Sequence, residues 1–552
     1  MRRDTPMLFL TLFCLLCLLP GCTPSPHLSA PPPPSQTPLL PAENPPFRFV
    51  PVTQQAGIHF KLGHNRKSPL TILETSGGGC AFLDYDNDGW PDILLVGPYN
   101  VALYHNEHDG TFKDVTAQSG LDPHRYWMGC AVGDYDGDGL PDIFLTGYHC
   151  FALYRNLGGG KFQDVTQESG LTGLDWSLSA AFADFNGDGK LDLYVSQYLK
   201  FDQQTKQICE VGNVRSACGP EIYEPLSGKL FLNTDGRHFR AVPDWKDTGK
   251  TWGALASDLM GVGQPALYLA NDMMQGDLWV RNKAGQWENR GYASGTQGDA
   301  QGHLQGGMGV DSGDYDNDGK LDLVVTTYFA QAISLYHNDG NGLFTVTSNA
   351  TGLGPPTMPY VKFGVGFADL DNDGWLDLMV TNGHVRDNVH DFDSSETYAQ
   401  PIQVFHNVKG RFTDVSAKLG AVSDLRLVGR GLAFGDYNRD GRVDVLICNL
   451  EGEAVLLENQ TPPRHWLDVR LNAPNSPNRF GLGALVTLTV NGQSQLREIR
   501  TCGSVLSARE PLAHFGLGDA TGPVALSIRW PDGKTQALRV EKVDTAVTVS
   551  HP

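Results

Sequence analysis

The chain has 552 residues and a mass of 60.1 kDa, so it is too long for one compact core and indicates several units or a repeat array. A hydrophobic fraction of 40% and a mean hydropathy of −0.26 argue against a multi-span membrane protein, and 64 glycines with 34 prolines favour a turn-rich all-β chain. The formal net charge of −20, from 62 acidic and 42 basic residues, argues against a nucleic-acid partner.

The N-terminus has the anatomy of an export signal. Arg2 and Arg3 precede an apolar run over residues 7–19, which is too short to span a bilayer but suits the core of a signal peptide. The run ends in Leu-Pro-Gly-Cys22, which resembles the bacterial lipobox, where the cysteine is lipidated and becomes the first mature residue. We therefore predict a lipoprotein signal peptide over residues 1–21 and lipidation of Cys22; the alternative is an ordinary secretory signal.

Residues 22–46 predict an extended tether. Residues 23–46 contain 10 prolines, a composition that cannot form a core and prefers the polyproline II conformation. Such a spacer after a lipidated cysteine would hold a folded body away from a membrane. We expect an exported protein at the outer membrane or cell surface, touching the membrane only through the anchor, or alternatively a periplasmic or secreted one.

A nine-residue pattern, D-x-[DN]-x-D-G-x-x-D, recurs six times and sets the architecture. Its copies begin at residues 84, 134, 184, 314, 369 and 436, and a degenerate copy without the carboxylate series fills the long interval at residues 257–270. Each copy lies between short apolar runs, and two further short runs follow it, which gives four strands per repeat. Seven such repeats predict a seven-bladed β-propeller over residues 47–460, followed by a small β-rich domain over residues 461–552.

The ends of the repeat region predict how the ring closes. The last repeat lacks the fourth-strand pattern, and a matching segment lies ahead of the first motif at residues 47–57. An N-terminal strand that completes the last blade would close the ring and protect its edges.

The nine-residue loop has the chemistry of a calcium site. Carboxylates at positions 1, 3, 5 and 9 of a tight loop supply the oxygen ligands that Ca²⁺ prefers, and the glycine at position 6 permits the turn. The six loops hold 22 acidic residues, more than the whole charge surplus, whereas simple polar turns would not need this repetition. We predict about six structural calcium ions, with these ligands: Asp84, Asp86, Asp88 and Asp92; Asp134, Asp136, Asp138 and Asp142; Asp184, Asn186, Asp188 and Asp192; Asp314, Asp316, Asp318 and Asp322; Asp369, Asp371, Asp373 and Asp377; Asp436, Asn438, Asp440 and Asp444.

These repeats resemble the FG-GAP/VCBS repeats of integrin-α-type propellers, in particular those of the cartilage-acidic-protein-like family. The C-terminal segments NRFGLGA at residues 478–484, HFGLG at residues 514–518 and IRWPDGK at residues 528–534 are similar to the ASPIC/UnbV module. The resemblance implies the propeller fold and calcium binding at the loop positions. It does not imply a ligand.

The remaining candidate residues concern a disulfide and a ligand face. Cys209 and Cys218 are close in sequence in an exported chain, so we predict that they pair. The face opposite the calcium loops receives the long connections at residues 58–79, 199–227, 296–307 and 383–401, and binding residues concentrate on such loops. We expect that face to include Arg125, Trp127, Trp176, Trp252, His303 and His384, although the aromatics could instead fill the ring.

No motif for a nucleophile, zinc site or phosphate loop is present in the sequence. We therefore predict no catalytic residue and favour an extracellular module that binds a protein or a glycan. The alternatives are a polysaccharide lyase or hydrolase with its site at the central opening, and a scaffold whose C-terminal domain recognises the partner.

Overall fold

The computed structural model describes residues 46–63, 68–205 and 207–552, which belong to the second of two compact units, Pro45–Pro552. The predicted signal peptide, Cys22 and all but the last residue of the predicted tether lie outside the described residues. Within those residues no helix is both long and apolar enough to cross a membrane.

Seven blades of four antiparallel strands each form the body of the protein, and short strands from elsewhere in the chain extend the sheets of blades one and four. Blades one to three contain Gly79–Leu83, Asp92–Gly97, Asn100–Asn106 and Phe112–Asp114; Trp127–Gly133, Asp142–Gly147, Phe151–Asn156 and Phe162–Asp164; Ser177–Ala183, Asp192–Gln197, Lys229–Asn233 and Phe239–Ala241. Blades four and five contain Thr251–Ser257, Ala266–Met274, Asp277–Arg281 and Trp287–Asn289; Val310–Gly313, Asp322–Val325, Ser334–Gly340 and Leu343–Val346. Blades six and seven contain Lys362–Ala368, Asp377–Asn382, Gln403–Val408 and Arg411–Asp414; Gly429–Gly435, Asp444–Asn449, Val455–Asn459 and Phe49–Pro51.

Helices and minor strands lie in the connections. The α-helical turns are Thr116–Ser119, Gly291–Ser294, Ser348–Thr351 and Gly354–Thr357, and the 3₁₀ turns are Pro220–Ile222, Val389–Asp391, Ser416–Lys418 and Gly420–Asp424. Ile208–Val211 and Val214–Ala217 form a separate hairpin, and Gln305–Gly306 pairs with the second strand of blade four.

The sheets close into a ring. The first strand of each blade packs against the first strand of the next, and the first strand of blade seven packs against that of blade one. Phe49–Pro51 pairs with Val455–Asn459, so the N-terminal strand is the fourth strand of blade seven, and the predicted closure is confirmed. The first and second strands are buried almost throughout because both faces of each sheet are covered by neighbouring blades.

An asparagine near the end of the third strand links neighbouring blades. The side-chain amide of Asn156 donates to the carbonyl of Pro141 in its own loop at 3.0 Å and to the carbonyl of Tyr85 in the preceding loop at 2.7 Å. The same pair of hydrogen bonds recurs at Asn106, Asn233, Asn338, Asn407 and Asn459. Each buried amide therefore satisfies two loop carbonyls and fixes the spacing between two blades.

The C-terminal domain consists of two sheets around its own core. One contains Leu512–Gly518, His465–Asn472 and Thr545–Ser550, and the other contains Gln493–Glu498, Leu485–Val490, Val524–Arg529 and Thr535–Val540. Leu467, Val486, Phe515 and Ile528 are fully buried between them.

A hairpin of the C-terminal domain lies on the axis of the ring. Its strands are Cys502–Gly503 and Ser507–Ala508, and we call residues 502–508 the channel hairpin. It contacts the first strand of every blade, through Cys80, Cys130, Ser179, Ala256, Val310, Val365 and Gly431. A segment that touches all seven innermost strands must occupy the central channel.

Candidate metal centres and ligand cavity

Each nine-residue loop is held by its first and last carboxylates. The Asp84 side chain accepts the backbone N–H of Gly89 at 2.9 Å, which closes the turn. The Asp92 side chain accepts the backbone N–H of Tyr85 at 3.1 Å and that of Asn106 at 2.8 Å, which ties the loop to the third strand. The same contacts recur in the other five intact loops, so positions 1 and 9 organise the loop in addition to offering ligand oxygens.

The remaining carboxylate oxygens fit a divalent cation. Asp84 Oδ1, Asp316 Oδ1 and Asp371 Oδ1 are buried and have no hydrogen-bond partner among the described residues. Burial, together with the negative charge of neighbouring aspartates, raises the pKa of Asp92 and of Asp322 to about 9. Clustered carboxylates with unpaired oxygens are the ligand set that a hard cation requires, so the residues present fit calcium.

The six intact loops differ in the side chain that precedes the third-strand asparagine. This side chain is His105, Arg155, Leu232, His337, His406 or Glu458 in blades one, two, three, five, six and seven. In blade two, Arg155 Nε lies 2.6 Å from Asp136 Oδ2, so a guanidinium neutralises part of that loop. The sequence analysis did not identify this position, although its fixed place before a repeated asparagine was a visible signal.

The degenerate loop of blade four uses an arginine from the C-terminal domain. Asp258 accepts the backbone N–H groups of Val262 and Gly263 at 2.9 Å, as the first aspartate of an intact loop does. Arg529 forms an ion pair with the same carboxylate. A fixed guanidinium therefore stands where the other loops have a series of carboxylates.

The C-terminal domain covers part of the loop face. Arg464 Nη1 lies 2.8 Å from Asp371 Oδ2, and the backbone N–H of Gly516 donates to Asp369 Oδ2 at 3.1 Å. His514 Nε2 is 2.7 Å from Asn372 Oδ1, and its Nδ1 is 2.7 Å from Asp468. The C-terminal domain therefore contacts the loop of blade six on one side through an ion pair and hydrogen bonds.

The six predicted ligand-face residues do not form one exposed surface. The Arg125 and His303 side chains are 42% and 75% exposed, whereas Trp127, Trp176, Trp252 and His384 are buried. Trp176 and Trp252 belong to an apolar cluster that includes Val505 and Leu506 of the channel hairpin. These two indoles therefore help to fill the ring, as the alternative prediction stated.

A cavity of about 300 Å³ opens among the long connections. Its aromatic and apolar lining includes Trp252, Phe363 and Tyr328, and its charged groups are Asp272, Glu221 and Arg386. The Tyr198 hydroxyl donates to Asp272 at 2.7 Å, and burial raises the pKa of that carboxyl to about 6. Aromatic walls with a few fixed polar groups are typical of small-ligand sites.

The disulfide predicted between Cys209 and Cys218 is present beside this cavity. It joins the ends of the hairpin Ile208–Val211 and Val214–Ala217, and Cys218 itself contributes to the cavity wall. The pairing therefore stabilises one of the long connections that form the cavity.

Comparisons with known proteins agree with the repeat pattern. The FG-GAP-like repeat family matches residues 84–145, 134–195 and 314–380, and the ASPIC and UnbV family matches residues 474–552. Cartilage acidic protein 1 from Mus musculus is 27% identical over 277 residues, which cover 40% of this chain and 41% of that protein. The Homo sapiens protein is 28% identical over 245 residues, which cover 43% of this chain and 34% of that protein.

The matched region therefore spans about two fifths or less of the length of these relatives. A solved structure on recognition of non-reducing terminal N-acetylglucosamine by a lectin from Agrocybe aegerita is 17% identical, with a TM-score of 0.36. That match covers 68% of this chain and 86% of the other. The repeats of this chain therefore match the FG-GAP-like repeat family, and its C-terminal domain matches the ASPIC and UnbV family.

Proposed function

We propose that the protein is an exported, calcium-stabilised binding module whose ligand is a glycan end group held at the cavity beside Trp252. The observation that carries this proposal is the cavity itself, whose wall combines the half-buried ring of Tyr328 with the charged groups of Asp272, Glu221 and Arg386. Sugar rings pack against aromatic faces, and their hydroxyl groups pair with carboxylates and guanidinium groups. A cavity of about 300 Å³ limits the ligand to one or two sugar units.

A glycan array with the full chain tests the binding proposal. We expect selective binding that falls at least tenfold in the variants Glu221→Ala and Arg386→Ala. Matched controls are Arg125→Ala and His303→Ala, which remove exposed side chains that do not line the cavity. An equal loss of glycan binding in the control variants would contradict the proposal. Binding to proteins but to no glycan would contradict it as well.

The calcium part of the proposal rests on the six carboxylate loops. The loop of blade three tests it: the neighbouring Leu232 contributes no charge or ligand, and Lys190 Nζ lies 2.8 Å from Asp188 Oδ2. We expect calcium to raise the melting temperature of the full chain and Asp188→Ala to remove about one bound ion, measured by mass spectrometry of the metal content. The control is Asp235→Ala, an exposed acid of the same blade outside the loop; no difference from this control would contradict calcium binding at the loop.

A second candidate function is glycan cleavage at the same cavity. Asp272 has a pKa raised to about 6 by burial and lies in one cavity with Glu221, so two carboxyl groups are available for acid and base roles. Release of reducing ends from a glycan that binds, lost in Asp272→Asn, would support it. Binding of the glycan without its cleavage would contradict this second function and support the binding function alone.

Lipidation of Cys22 and attachment at the cell surface or outer membrane complete the proposal. The sequence Leu-Pro-Gly-Cys22 after a short apolar run supports a lipidated anchor. Mass spectrometry of the N-terminal peptide from the native host would detect the acyl chains. An unmodified Cys22, or a mature N-terminus at another residue, would contradict the anchor and indicate a periplasmic or secreted protein.

A further inference from the structure

The Arg386 side chain lines the ligand cavity beside Trp252. It is half-buried, and its guanidinium forms no ion pair and no hydrogen bond with any other described residue. A guanidinium carries a rigid fork of N–H donors and keeps its positive charge at every pH that proteins tolerate. Donors of this kind without a protein partner, at the wall of a cavity, favour a ligand that accepts hydrogen bonds and carries negative charge.

The connection that carries Arg386 is held in place by neighbouring residues. The backbone N–H of Arg386 donates to His384 Nδ1 at 2.9 Å, and the carbonyl of His384 accepts the buried guanidinium of Arg430 at 3.3 Å. The Arg386 guanidinium lies over the ring of Phe392, 5.7 Å from its centroid, and this contact orients it without using an N–H group. A ligand would therefore meet a guanidinium that is already positioned, which lowers the entropy cost of binding.

The two carboxylates of the cavity are in different situations from Arg386. Asp272 is buried and accepts the Tyr198 hydroxyl at 2.7 Å, and the positive charge of the nearby Lys250 offsets its negative charge. Glu221 is exposed, so water and salt screen its charge. Asp272 therefore has protein partners and Glu221 has solvent, whereas Arg386 is a half-buried charge that a ligand can neutralise.

We propose that the sugar end group held in this cavity is an acidic one, a uronic acid or a sialic acid, whose carboxylate pairs with Arg386. Guanidinium and carboxylate are planar groups that form a pair of parallel hydrogen bonds, so the contact also fixes the orientation of the sugar ring. Repulsion from Glu221 keeps the carboxylate on the Arg386 side and leaves Glu221 to accept sugar hydroxyl groups. The inference rests on the proposed glycan-binding function and adds the chemical class of the sugar.

Matched acidic and neutral end groups on a glycan array test this inference with the full chain. Chemical reduction of the carboxyl group converts a terminal glucuronic or galacturonic acid into the corresponding neutral sugar, and terminal sialic acid with its carboxyl-reduced form is a second arm. We expect at least one acid to bind about tenfold or more tightly than its reduced counterpart, and the arm that does so identifies the sugar. Equal binding of acidic and neutral end groups in both arms overturns the inference and leaves the proposed function standing, whereas no binding to any glycan contradicts both.

Variants of Arg386 show whether this side chain recognises the carboxylate. We expect Arg386→Gln to bind acidic and neutral end groups about equally, and Arg386→Lys, which keeps the charge but not the planar fork, to retain part of the preference. The matched control Arg125→Gln removes an exposed guanidinium that does not line the cavity, and we expect it to keep the full preference. A full preference for the acid in Arg386→Gln overturns the inference.

Ionic strength provides a test that needs no variant. Salt screens the attraction between a carboxylate and a half-buried guanidinium, so we expect wild-type binding to the acidic end group to weaken several-fold between about 0.05 M and about 0.5 M sodium chloride. Binding to the carboxyl-reduced end group is expected to change little over the same range. The same salt dependence for both end groups overturns the inference.

Discussion

At the scale of single residues, the third-strand asparagines connect neighbouring blades. Asn156 is fully buried and satisfies the carbonyls of Tyr85 and Pro141, which belong to two different blades. Asn156→Leu would leave both carbonyls buried and unpaired, so we expect the free energy of unfolding to fall by about 3 kcal/mol. Urea unfolding of the full chain measures this loss, and Asn213→Leu, on an exposed turn, is expected to change it by less than about 0.5 kcal/mol.

Asp272 gives a residue-scale prediction about pH. Burial raises its pKa to about 6, above the ordinary value, so the folded protein holds this proton between about pH 4 and pH 6 while the unfolded chain releases it. The stability contributed by this group is therefore present below about pH 4 and lost as the pH rises through about 6. We expect the melting temperature of Asp272→Asn relative to wild type to rise across that interval; a constant difference would contradict the raised pKa.

At the scale of elements, the sequence predicts what depends on local pattern. The four strands of each blade, the degenerate fourth repeat and the closing N-terminal strand follow from short apolar runs at a fixed period. The sequence analysis missed the side chain before the third-strand asparagine. This side chain comes close to the loop carboxylates only because the third strand pairs with the second. Trp127 was assigned to a surface because the sequence does not show that its buried indole N–H donates to the backbone carbonyl of Asp122 at 2.6 Å.

Arg529 illustrates the same limit and gives an element-scale prediction. It pairs with Asp258, which is 3% exposed, from a distance of 271 residues in the chain. Arg529→Leu would leave a buried carboxylate without a counter-charge, and we expect a loss of about 3 kcal/mol that added calcium does not restore. Thermal unfolding with and without calcium measures it. The control Arg539→Leu removes an exposed ion pair of the neighbouring strand and is expected to have little effect.

At the scale of the whole molecule, the channel hairpin makes the ring and the C-terminal domain one structure. Asp311 on the first strand of blade five is fully buried and lies 2.6 Å from Arg500 and 2.7 Å from Arg509, which flank the hairpin. Burial acts to raise the pKa of Asp311, but the two guanidinium groups hold it below its ordinary value. The central opening, where the alternative enzyme prediction places an active site, is therefore filled by the protein itself.

The tight fit of this hairpin predicts a way to separate the two parts. A Cβ at Gly79 would clash with the carbonyl oxygen of Leu506, which is backbone and cannot rotate away. We expect Gly79→Ala to expel the channel hairpin and to raise amide hydrogen exchange over residues 500–509, while the outer strands of the seven blades stay protected. Gly522→Ala, where a Cβ meets open space, is the matched control. If exchange over residues 500–509 is the same in both variants, the hairpin does not depend on that close approach, and the ring and the C-terminal domain are joined mainly by the contacts at the loop face.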